Sequence, residues 1–295
     1  MDNNKKENIN ITRTAIAVVG LCLLAILAFK GVKTNPIQIK PVEIVANPLL
    51  SKSPLILKKN PYKDIKIEAK SIYILDVNQN KTIFELNSEY QLPLASLTKI
   101  MTVITAKESI PEDTTIIFNK EKWKLDDLIQ FTLLVSSNDG AFVLAHTKDG
   151  FISNMNENTK KMGLSNTYFM NESGLDISKG VSGGYGTAKD VAKMFDYAVS
   201  TYPNLFDVTK EKSQSFISLN KISHRGLNTN IIIDDIPNVI ASKTGLTDLA
   251  GGNLVIEFLP RENHPVIIVV MGSSTEGRFT DMLTLVNATK KYYTD

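Results

Sequence analysis

Three short motifs place hydroxyl, amine and amide side chains in an order suited to acyl transfer. They are Ser96-Leu-Thr-Lys99, Ser136-Ser-Asn138 and Lys243-Thr-Gly245. A serine hydroxyl is a weak nucleophile that needs a nearby base, and no histidine of the chain stands in an obvious triad with it. A lysine three residues after the serine can act as that base when both lie on one helix. The motifs therefore predict a serine enzyme that works through an acyl-enzyme intermediate.

Ser96 is not the only serine followed at this spacing by a lysine, because Ser218-Leu-Asn-Lys221 is a second match. The segment 213–222 alternates like a β-strand, in which residues i and i+3 face opposite sides. Ser96 instead stands near the start of a predicted helix, where i and i+3 share a face. We therefore expect Lys99 to reach the Ser96 hydroxyl and Lys221 not to reach Ser218. From the local sequence alone, a helix-capping role is an equal alternative for Ser96.

Lys99 can act as a base only while its amine is neutral. Burial and a nearby positive charge both lower a lysine pKa, and Lys243 supplies such a charge if its strand lies beside the helix of Ser96. The oxyanion of the tetrahedral intermediate needs two aligned N–H donors. The backbone N–H of Ser96 is one candidate, and we expect the other on the strand of Lys243.

The second and third motifs each have a chemical and an ordinary explanation. Ser136 can relay a proton to the leaving amine and Asn138 can hold a substrate amide, but both also suit a helix break with polar caps. Lys243 and Thr244 offer donors for a substrate carboxylate, and Gly245 lets a ligand approach the backbone closely. Alternatively, this last motif is only the end of a strand.

Hydrophobic periodicity indicates the elements that must position the motifs. Helical spacing predicts helices over 96–109, 123–145 with a break near 136, 151–162, 188–200 and 278–293. Alternation predicts a hairpin over 67–87 and strands over 213–222, 239–244, 252–258 and 265–271. A hairpin, a mostly helical middle and later strands predict an α/β fold in which an antiparallel sheet is covered by helices.

Composition narrows the function classes. The 295 residues carry a formal net charge of +2 without a basic stripe, so we expect no nucleic-acid partner. The single cysteine, Cys22, excludes an intrachain disulfide framework and a cysteine-based zinc site. The histidines lie far apart and form no metal-binding pattern. We therefore expect neither a metal nor another cofactor.

An uncharged apolar stretch, Thr14–Phe29, follows a polar segment near the N-terminus. It is close to the short limit for a membrane-spanning helix, which usually needs about 17–25 residues. We predict a cytoplasmic tail over 1–13, a transmembrane signal-anchor over 14–29, an extended proline-containing linker over 30–60 and a catalytic domain over 61–295. A cleaved signal peptide and a lipoprotein modified at Cys22 are the alternatives.

The chain resembles the low-molecular-weight penicillin-binding proteins of the D-alanyl-D-alanine carboxypeptidase family, peptidase family S11. The resemblance covers about 67–293 and includes the three motifs. The segments that carry it are 94–102 (LASLTKIMT), 133–141 (LLVSSNDGA), 151–176, 187–190, 228–230 and 242–248 (SKTGLTD).

The resemblance implies a β-lactamase/transpeptidase-like fold and removal of the terminal D-Ala from peptidoglycan stem peptides. It also implies a catalytic domain outside the bacterial cytoplasmic membrane, held by the single N-terminal helix, and inhibition by β-lactam antibiotics. The implied catalytic residues are Ser96 as nucleophile, Lys99 as base, and Ser136. The implied substrate-binding residues are Asn138, Lys243, Thr244, Gly245 and Leu246, the last through its backbone N–H.

The chain departs from the family pattern in two places near the expected site. The stretch between Ser96 and Ser136 is short, and a loop rich in glycine and serine is missing between Phe118 and Leu125, which we expect to open one wall of the cleft. The resemblance also implies an arginine just before the strand at Val266. His264-Pro265 occupies that place, so we expect weaker binding of the substrate carboxylate.

Three other functions remain as alternatives. The family's extra C-terminal β domain is not expected in this chain, and members without it also resemble D,D-endopeptidases that cut peptidoglycan crosslinks. A serine β-lactamase would need a carboxylate to activate the deacylating water, and Glu172 is the one candidate, in surroundings unlike that motif. An inactive wall-binding module is the third alternative.

Overall fold

The computed structural model describes residues 60–294 of the chain. The predicted tail and signal-anchor and nearly all of the linker lie outside the described residues, so those boundaries stay predictions. Among residues 60–294, no helix is both long enough and apolar enough to cross a membrane.

Seven α-helices and three short 3-10 turns lie in the described part of the chain. The helices are α1 (Thr98–Ser109), α2 (Leu125–Leu134), α3 (Asn138–His146), α4 (Phe151–Lys161), α5 (Ala188–Thr201), α6 (Pro203–Phe206) and α7 (Gly277–Thr294). The 3-10 turns are Ala95–Leu97, Asp207–Lys210 and Ile233–Asp235.

Twelve strands occur between residues 60 and 294. They are β1 (Ser71–Asp76), β2 (Lys81–Leu86), β3 (Leu92–Pro93), β4 (Thr115–Phe118), β5 (Glu121–Lys124), β6 (Tyr168–Phe169), β7 (Gly184–Gly186), β8 (Ser213–Ile217), β9 (Ser223–Leu227), β10 (Val239–Thr247), β11 (Gly251–Phe258) and β12 (Val266–Ser273). The main sheet has five antiparallel strands in the order β10-β11-β12-β1-β2. Its edge strand β10 carries the third motif.

The main sheet is buried on both faces. All six residues of β1 are buried, and alternate residues of a strand face opposite sides. Ile72 and Ile74 pack with residues of α7 such as Met282. Tyr73 and Leu75 pack on the other side, with residues of α1 and α5. The result is a sheet between two helical layers, as the sequence predicts.

Helix α1 runs through the core, although an amphipathic surface helix would bury only one stripe. Every residue from Thr98 to Ala106 is buried, because α2, α3, α4 and α5 surround the helix. Lys99 lies on the first turn of this helix and is fully buried. The fold therefore carries a lysine into an apolar interior next to the sequence-predicted nucleophile.

The structure confirms the predicted hairpin, the helices around 96–109, 151–162, 188–200 and 278–293, and the three C-terminal strands. The helical prediction for 123–145 is wrong at its start. Trp123 lies in β5, which pairs with β4 across the turn Asn119-Lys120. That tight turn lies between Phe118 and Leu125, the stretch in which we expect a family loop to be missing.

The strand prediction for 213–222 is also wrong at its end. Strand β8 stops at Ile217, and Ser218 to Lys221 form the turn that leads to β9. The Lys221 backbone N–H donates to Ser218 O at 2.8 Å, and Lys221 has a left-handed φ of 65°. The Ser218 hydroxyl accepts from the Ile222 backbone N–H at 3.3 Å. Ser218 therefore stabilises a hairpin turn.

Candidate active site

Ser96 lies in the 3-10 turn that leads into α1, and this turn is strained. Ala95 has a left-handed φ of 48°, a conformation that costs a residue with a side chain about 1–3 kcal/mol. Two glycines from other segments pack closely against this turn. A Cβ on Gly174, whose φ is 78°, would lie 1.8 Å from Ala95 O, and one on Gly245 would lie 3.0 Å from Leu94 O. The close packing of both segments fixes Ser96 in the cleft between them.

The Ser96 hydroxyl is a partner of Lys99 and does not cap the helix. Lys99 Nζ lies 2.9 Å from Ser96 Oγ, and no side chain makes an N-cap hydrogen bond to α1. Lys99 Nζ also donates to Asn138 Oδ1 at 2.8 Å and to the Ser173 carbonyl at 2.8 Å. These geometries favour the nucleophile–base explanation of the first motif over the capping explanation.

The environment of Lys99 suits a general base. Burial lowers the pKa of Lys99 from its ordinary 10.5 to about 7, against the smaller opposing effect of the Glu172 carboxylate. An amine with this pKa is neutral in a large fraction of molecules near neutral pH. It can then accept the proton of a serine hydroxyl that lies within hydrogen-bond distance.

The two neighbouring serines of the second motif have different hydrogen-bond partners. Ser137 caps α3, since its Oγ accepts from the Gly140 backbone N–H at 2.9 Å. Ser136 precedes the cap with a left-handed φ of 55°, and its Oγ accepts from Lys243 Nζ at 2.8 Å. The capping explanation therefore holds for Ser137, whereas Ser136 and Asn138 face the two lysines.

Lys243 is the second buried lysine of the cleft. Besides Ser136, its Nζ donates to its neighbour's carbonyl, Thr244 O, at 3.0 Å. Burial lowers the pKa of Lys243 well below 10.5, and the charges of Lys99 and Arg278 lower it further. The charge effect between the two lysines therefore acts in the direction opposite to the expected one: Lys99 lowers the pKa of Lys243, whereas burial is the main cause of the low pKa of Lys99.

The backbone direction of β10 decides which of its N–H groups faces the cleft. The Ser242 N–H points away from β11, because it donates to Thr209 Oγ1 at 3.0 Å. N–H groups two residues apart in a strand point to the same side, so those of Thr244 and Leu246 also point away from β11. This direction is the one that the expected oxyanion role of the Leu246 N–H requires. The Leu246 side chain itself is exposed.

The arginine missing before Val266 is supplied from another part of the fold. Arg278, on the first turn of α7, donates through Nη1 to Gly245 O at 2.8 Å and is only 8% exposed. His264 lies at the other end of β12, where its Nε2 is 2.7 Å from Asp76 Oδ2. A guanidinium therefore stands beside the third motif although no arginine precedes Val266, and the expectation of weaker carboxylate binding stays a prediction.

Comparison with known proteins agrees with this geometry. A model of the family described as D-alanyl-D-alanine carboxypeptidase (Peptidase_S11) matches residues 58–116 and 106–275. The chain belongs to this family. D-alanyl-D-alanine carboxypeptidase DacA of Escherichia coli is 27% identical over 243 residues, which are 72% of this chain and 58% of DacA. The chain thus spans just over half the length of that S11 relative.

Two further relatives bear on the fold and on the substrate. The D-alanyl-D-alanine endopeptidase of Escherichia coli is 28% identical over 239 residues, 73% of this chain and 74% of the endopeptidase. The ampicillin-bound structure of penicillin-binding protein D2 from Listeria monocytogenes has a TM-score of 0.68 and 26% identity. It covers 76% of this chain and 98% of its own. The S11 chain therefore has the fold of a penicillin-binding protein.

Several groups at the site carry no signal in the sequence motifs. The Ser173 carbonyl reaches Lys99 only because the loop before β7 folds over α1. The Thr229 hydroxyl lies 2.6 Å from the Thr244 hydroxyl. Arg278 reaches the site because Gly252 of β11 pairs with both Leu246 of β10 and Ser273 of β12. Signals existed for Ser173 and Thr229, within the similarities at 151–176 and 228–230, but not for Arg278.

We predict that acylation of Ser96 by a labelled penicillin rises with pH through about 7 and then reaches a plateau. The base must be neutral, and the pKa of Lys99 is about 7, so the reactive fraction falls as pH drops below that value. Lys99→Arg keeps the charge but cannot deprotonate, and it should slow acylation by about 10²–10⁴-fold at every pH. The second-order acylation constant between pH 5 and 9 measures both effects. A flat wild-type profile, or full activity of Lys99→Arg, contradicts the base role.

Proposed function

We propose that this protein is a serine-type D-Ala-D-Ala carboxypeptidase that removes the terminal D-Ala of peptidoglycan stem peptides through an acyl-enzyme on Ser96. The observation that carries the proposal is the pair formed by Ser96 and a buried Lys99 with a pKa of about 7, at 2.9 Å. Membership of the S11 family supports the substrate class.

The acylation step uses five residues of the cleft. Lys99 Nζ takes the proton of Ser96 Oγ as the oxygen attacks the carbonyl carbon of the penultimate D-Ala. The oxyanion is stabilised by the backbone N–H groups of Ser96 and Leu246. The C–N bond then breaks, and Ser136, hydrogen-bonded to Lys243, passes its hydroxyl proton to the leaving D-Ala amine. Ser136 regains a proton from the protonated Lys99, which leaves Lys99 neutral for the next step. Water later hydrolyses the ester, with Lys99 as base again.

Two cationic side chains and a hydroxyl favour a substrate with a free carboxylate. Lys243 and Thr244 belong to the third motif, Arg278 donates to Gly245 O beside them, and Arg278 forms no salt bridge among residues 60–294. A buried guanidinium without a carboxylate partner is costly, and a substrate carboxylate supplies that partner. The same carboxylate is present in penicillins, which we propose as acylating inhibitors of this site.

The direct test compares the full-length chain with Ser96→Ala on three compounds: an acyl-D-Ala-D-Ala peptide, a crosslinked stem-peptide dimer and a labelled penicillin. We expect the wild type to release D-Ala and to retain the label, and Ser96→Ala to do neither, because the ester cannot form. Mass spectrometry of the products and in-gel detection of the label measure the result. Equal labelling of the two proteins would remove the acyl-enzyme assignment.

A D,D-endopeptidase is the second candidate, and one comparison favours it. The chain covers 74% of the length of the Escherichia coli endopeptidase but 58% of DacA. In the endopeptidase reaction the same acyl-enzyme forms on Ser96. The leaving amine then belongs to a neighbouring stem peptide instead of a free D-Ala. Faster cleavage of the dimer than of the D-Ala-D-Ala peptide assigns this activity in the same assay.

The remaining alternatives have less support. The Glu172 carbonyl accepts from Thr102 Oγ1 at 2.5 Å, and among residues 60–294 no carboxylate hydrogen-bonds to Ser96 or Lys99. A β-lactamase needs such a group for rapid deacylation. An inactive binding module has no need for a buried lysine with a lowered pKa.

We predict that Arg278→Gln slows hydrolysis of the free D-Ala-D-Ala peptide more than that of its C-terminal amide. The substitution keeps hydrogen-bonding capacity but removes the positive charge that pairs with the carboxylate. A charge-assisted hydrogen bond contributes about 1.5–3 kcal/mol, so we expect a loss of about tenfold or more in kcat/KM for the free acid. Kinetics with the two peptides measure the ratio, and equal losses for both contradict carboxylate recognition.

We further propose that Thr14–Phe29 anchors the protein in the bacterial cytoplasmic membrane with the catalytic domain outside. The uncharged apolar run and the extracytoplasmic position of peptidoglycan support this arrangement. We expect protease added to intact spheroplasts to digest the domain, and the full-length chain to fractionate with membranes. Protection until the cells are lysed contradicts the orientation. A mature N-terminus beyond residue 29 assigns a cleaved signal peptide instead.

A further inference from the structure

One carboxylate joins the two walls of the active-site cleft. Asp176 lies in the loop between β6 and β7, and the residues that it contacts lie at the end of β10 and in the turn that follows. Its Oδ1 accepts from Thr247 Oγ1 at 3.0 Å, and its Oδ2 accepts from the Leu249 backbone N–H at 3.1 Å. Thr247 Oγ1 in turn accepts from the Ala250 backbone N–H at 3.2 Å. Both carboxylate oxygens are therefore used to tie the loop to the sheet.

The loop between β6 and β7 forms one wall of the cleft, and it places the Ser173 carbonyl where that carbonyl accepts a hydrogen bond from Lys99. Asn171 Oδ1 accepts from the backbone N–H of Ser173 at 3.2 Å and of Gly174 at 2.7 Å, which folds the loop into a tight turn. That turn directs the Ser173 carbonyl to Lys99 Nζ. It also presses Gly174 on the strained residue Ala95. Asp176 is two residues farther along the same loop.

Strand β10 forms the other wall of the cleft, and it positions Lys243 and Gly245 of the third motif. Lys243 and Gly245 of β10 face Ser136 and Ala95 respectively, and Thr247 is the next residue on the same side of the strand. Asn171 organises the loop internally, and Asp176 connects it to β10. The spacing between the walls is thus set next to the nucleophile.

We infer that Asp176 is a positioning residue for the Ser96 reaction, which acts by holding the loop that carries Ser173 against the end of β10. It contacts no reacting atom. The inference rests on the proposed acyl-enzyme function and deepens it, because it concerns the same base and nucleophile.

The physical consequence of losing this tie is specific to Lys99. A loop that is free to move withdraws the Ser173 carbonyl and admits water to the buried amine. Solvation favours the charged form, so the pKa of Lys99 then rises from about 7 toward 10.5. Less of the neutral base is present at pH 7, and the rate recovers at higher pH. If Asp176 had a purely structural role, its loss would lower the free energy of unfolding. It would not move the pH midpoint of acylation.

The test is a double-mutant cycle in the full-length protein with Asp176→Asn, Thr247→Val and the double variant. Asp176→Asn keeps the shape but removes the charge that strengthens both hydrogen bonds and replaces one of the two acceptors by a donor. We expect it to slow acylation by a labelled penicillin about tenfold at pH 7 and to move the pH midpoint upward. Thr247→Val removes one of the two contacts without a change of charge and should have a smaller effect in the same direction.

The effects of the two substitutions should be less than additive in the double variant, because Asp176 and Thr247 share a hydrogen bond that either substitution alone weakens. Asp113→Asn, at an exposed aspartate away from the cleft, is the matched control and should behave as wild type. Melting temperatures are measured in parallel. If Asp176→Asn does not fold, the Thr247→Val midpoint decides the question alone.

An unchanged pH midpoint in the folded variants overturns the inference, even if stability falls. Additive effects of the two substitutions also overturn it, since independent sites are expected to add. A wild-type protein that does not become acylated at all is a different outcome. That result contradicts the proposed function itself, and the two failures are therefore distinguishable.

Discussion

The burial of three cations around one serine is the constraint on which the rest of the site depends. Lys99, Lys243 and Arg278 are each less than a tenth exposed. Taking such groups out of water costs several kcal/mol for each ion unless hydrogen bonds compensate. Each of the three donates to a backbone carbonyl, of Ser173, Thr244 and Gly245 in that order. Neutral acceptors satisfy the N–H groups without holding the protons as a carboxylate does, so burial can lower the lysine pKa values.

The fold supplies these carbonyls at the expense of backbone strain. Ala95 and Ser136 both have left-handed φ values; Ala95 immediately precedes Ser96, the proposed nucleophile, and Ser136 carries the hydroxyl that is proposed to relay a proton. Gly174 and Gly245 fill the space beside Ala95 in which a Cβ does not fit. The surrounding core, with the first nine residues of α1 buried, keeps the strained turn in place. Strain of this kind costs stability and holds the hydroxyl in one position for the reaction.

Contacts between residues of the same helix or motif could be predicted from the local sequence. Ser96 and Lys99 share a helix turn, so their contact follows from helical periodicity. Ser136 and Asn138 were recognisable as a motif, but the division of roles between Ser136 and the capping Ser137 depends on which hydroxyl meets the Gly140 N–H. The sheet and its helical layers followed from periodicity for the same reason, since each element shows its own pattern.

Contacts between distant segments were not accessible in this way. Arg278 follows Lys243 at a distance that no local pattern encodes, and it meets Gly245 only through the pairing of β10, β11 and β12. The sequence prediction considered only the position just before Val266. His264 occupies that position, and it lies beside Asp76 at the end of β12 that is far from Arg278. The turn at Ser218 was misassigned because alternation continues in the sequence past the last paired residue.

The edge position of β10 explains how a substrate can reach groups that are otherwise buried. An edge strand leaves a row of N–H and C=O groups without a strand partner, and proteins usually cover such edges. Here the 3-10 turn Asp207–Lys210 covers the edge at Ser242, where Thr209 bonds to both the backbone N–H and the side chain. The Asp176 contact closes the other end at Thr247. Within residues 60–294, the stretch of β10 between these two contacts lies beside Ser96, and an edge strand of this kind can pair with an extended peptide.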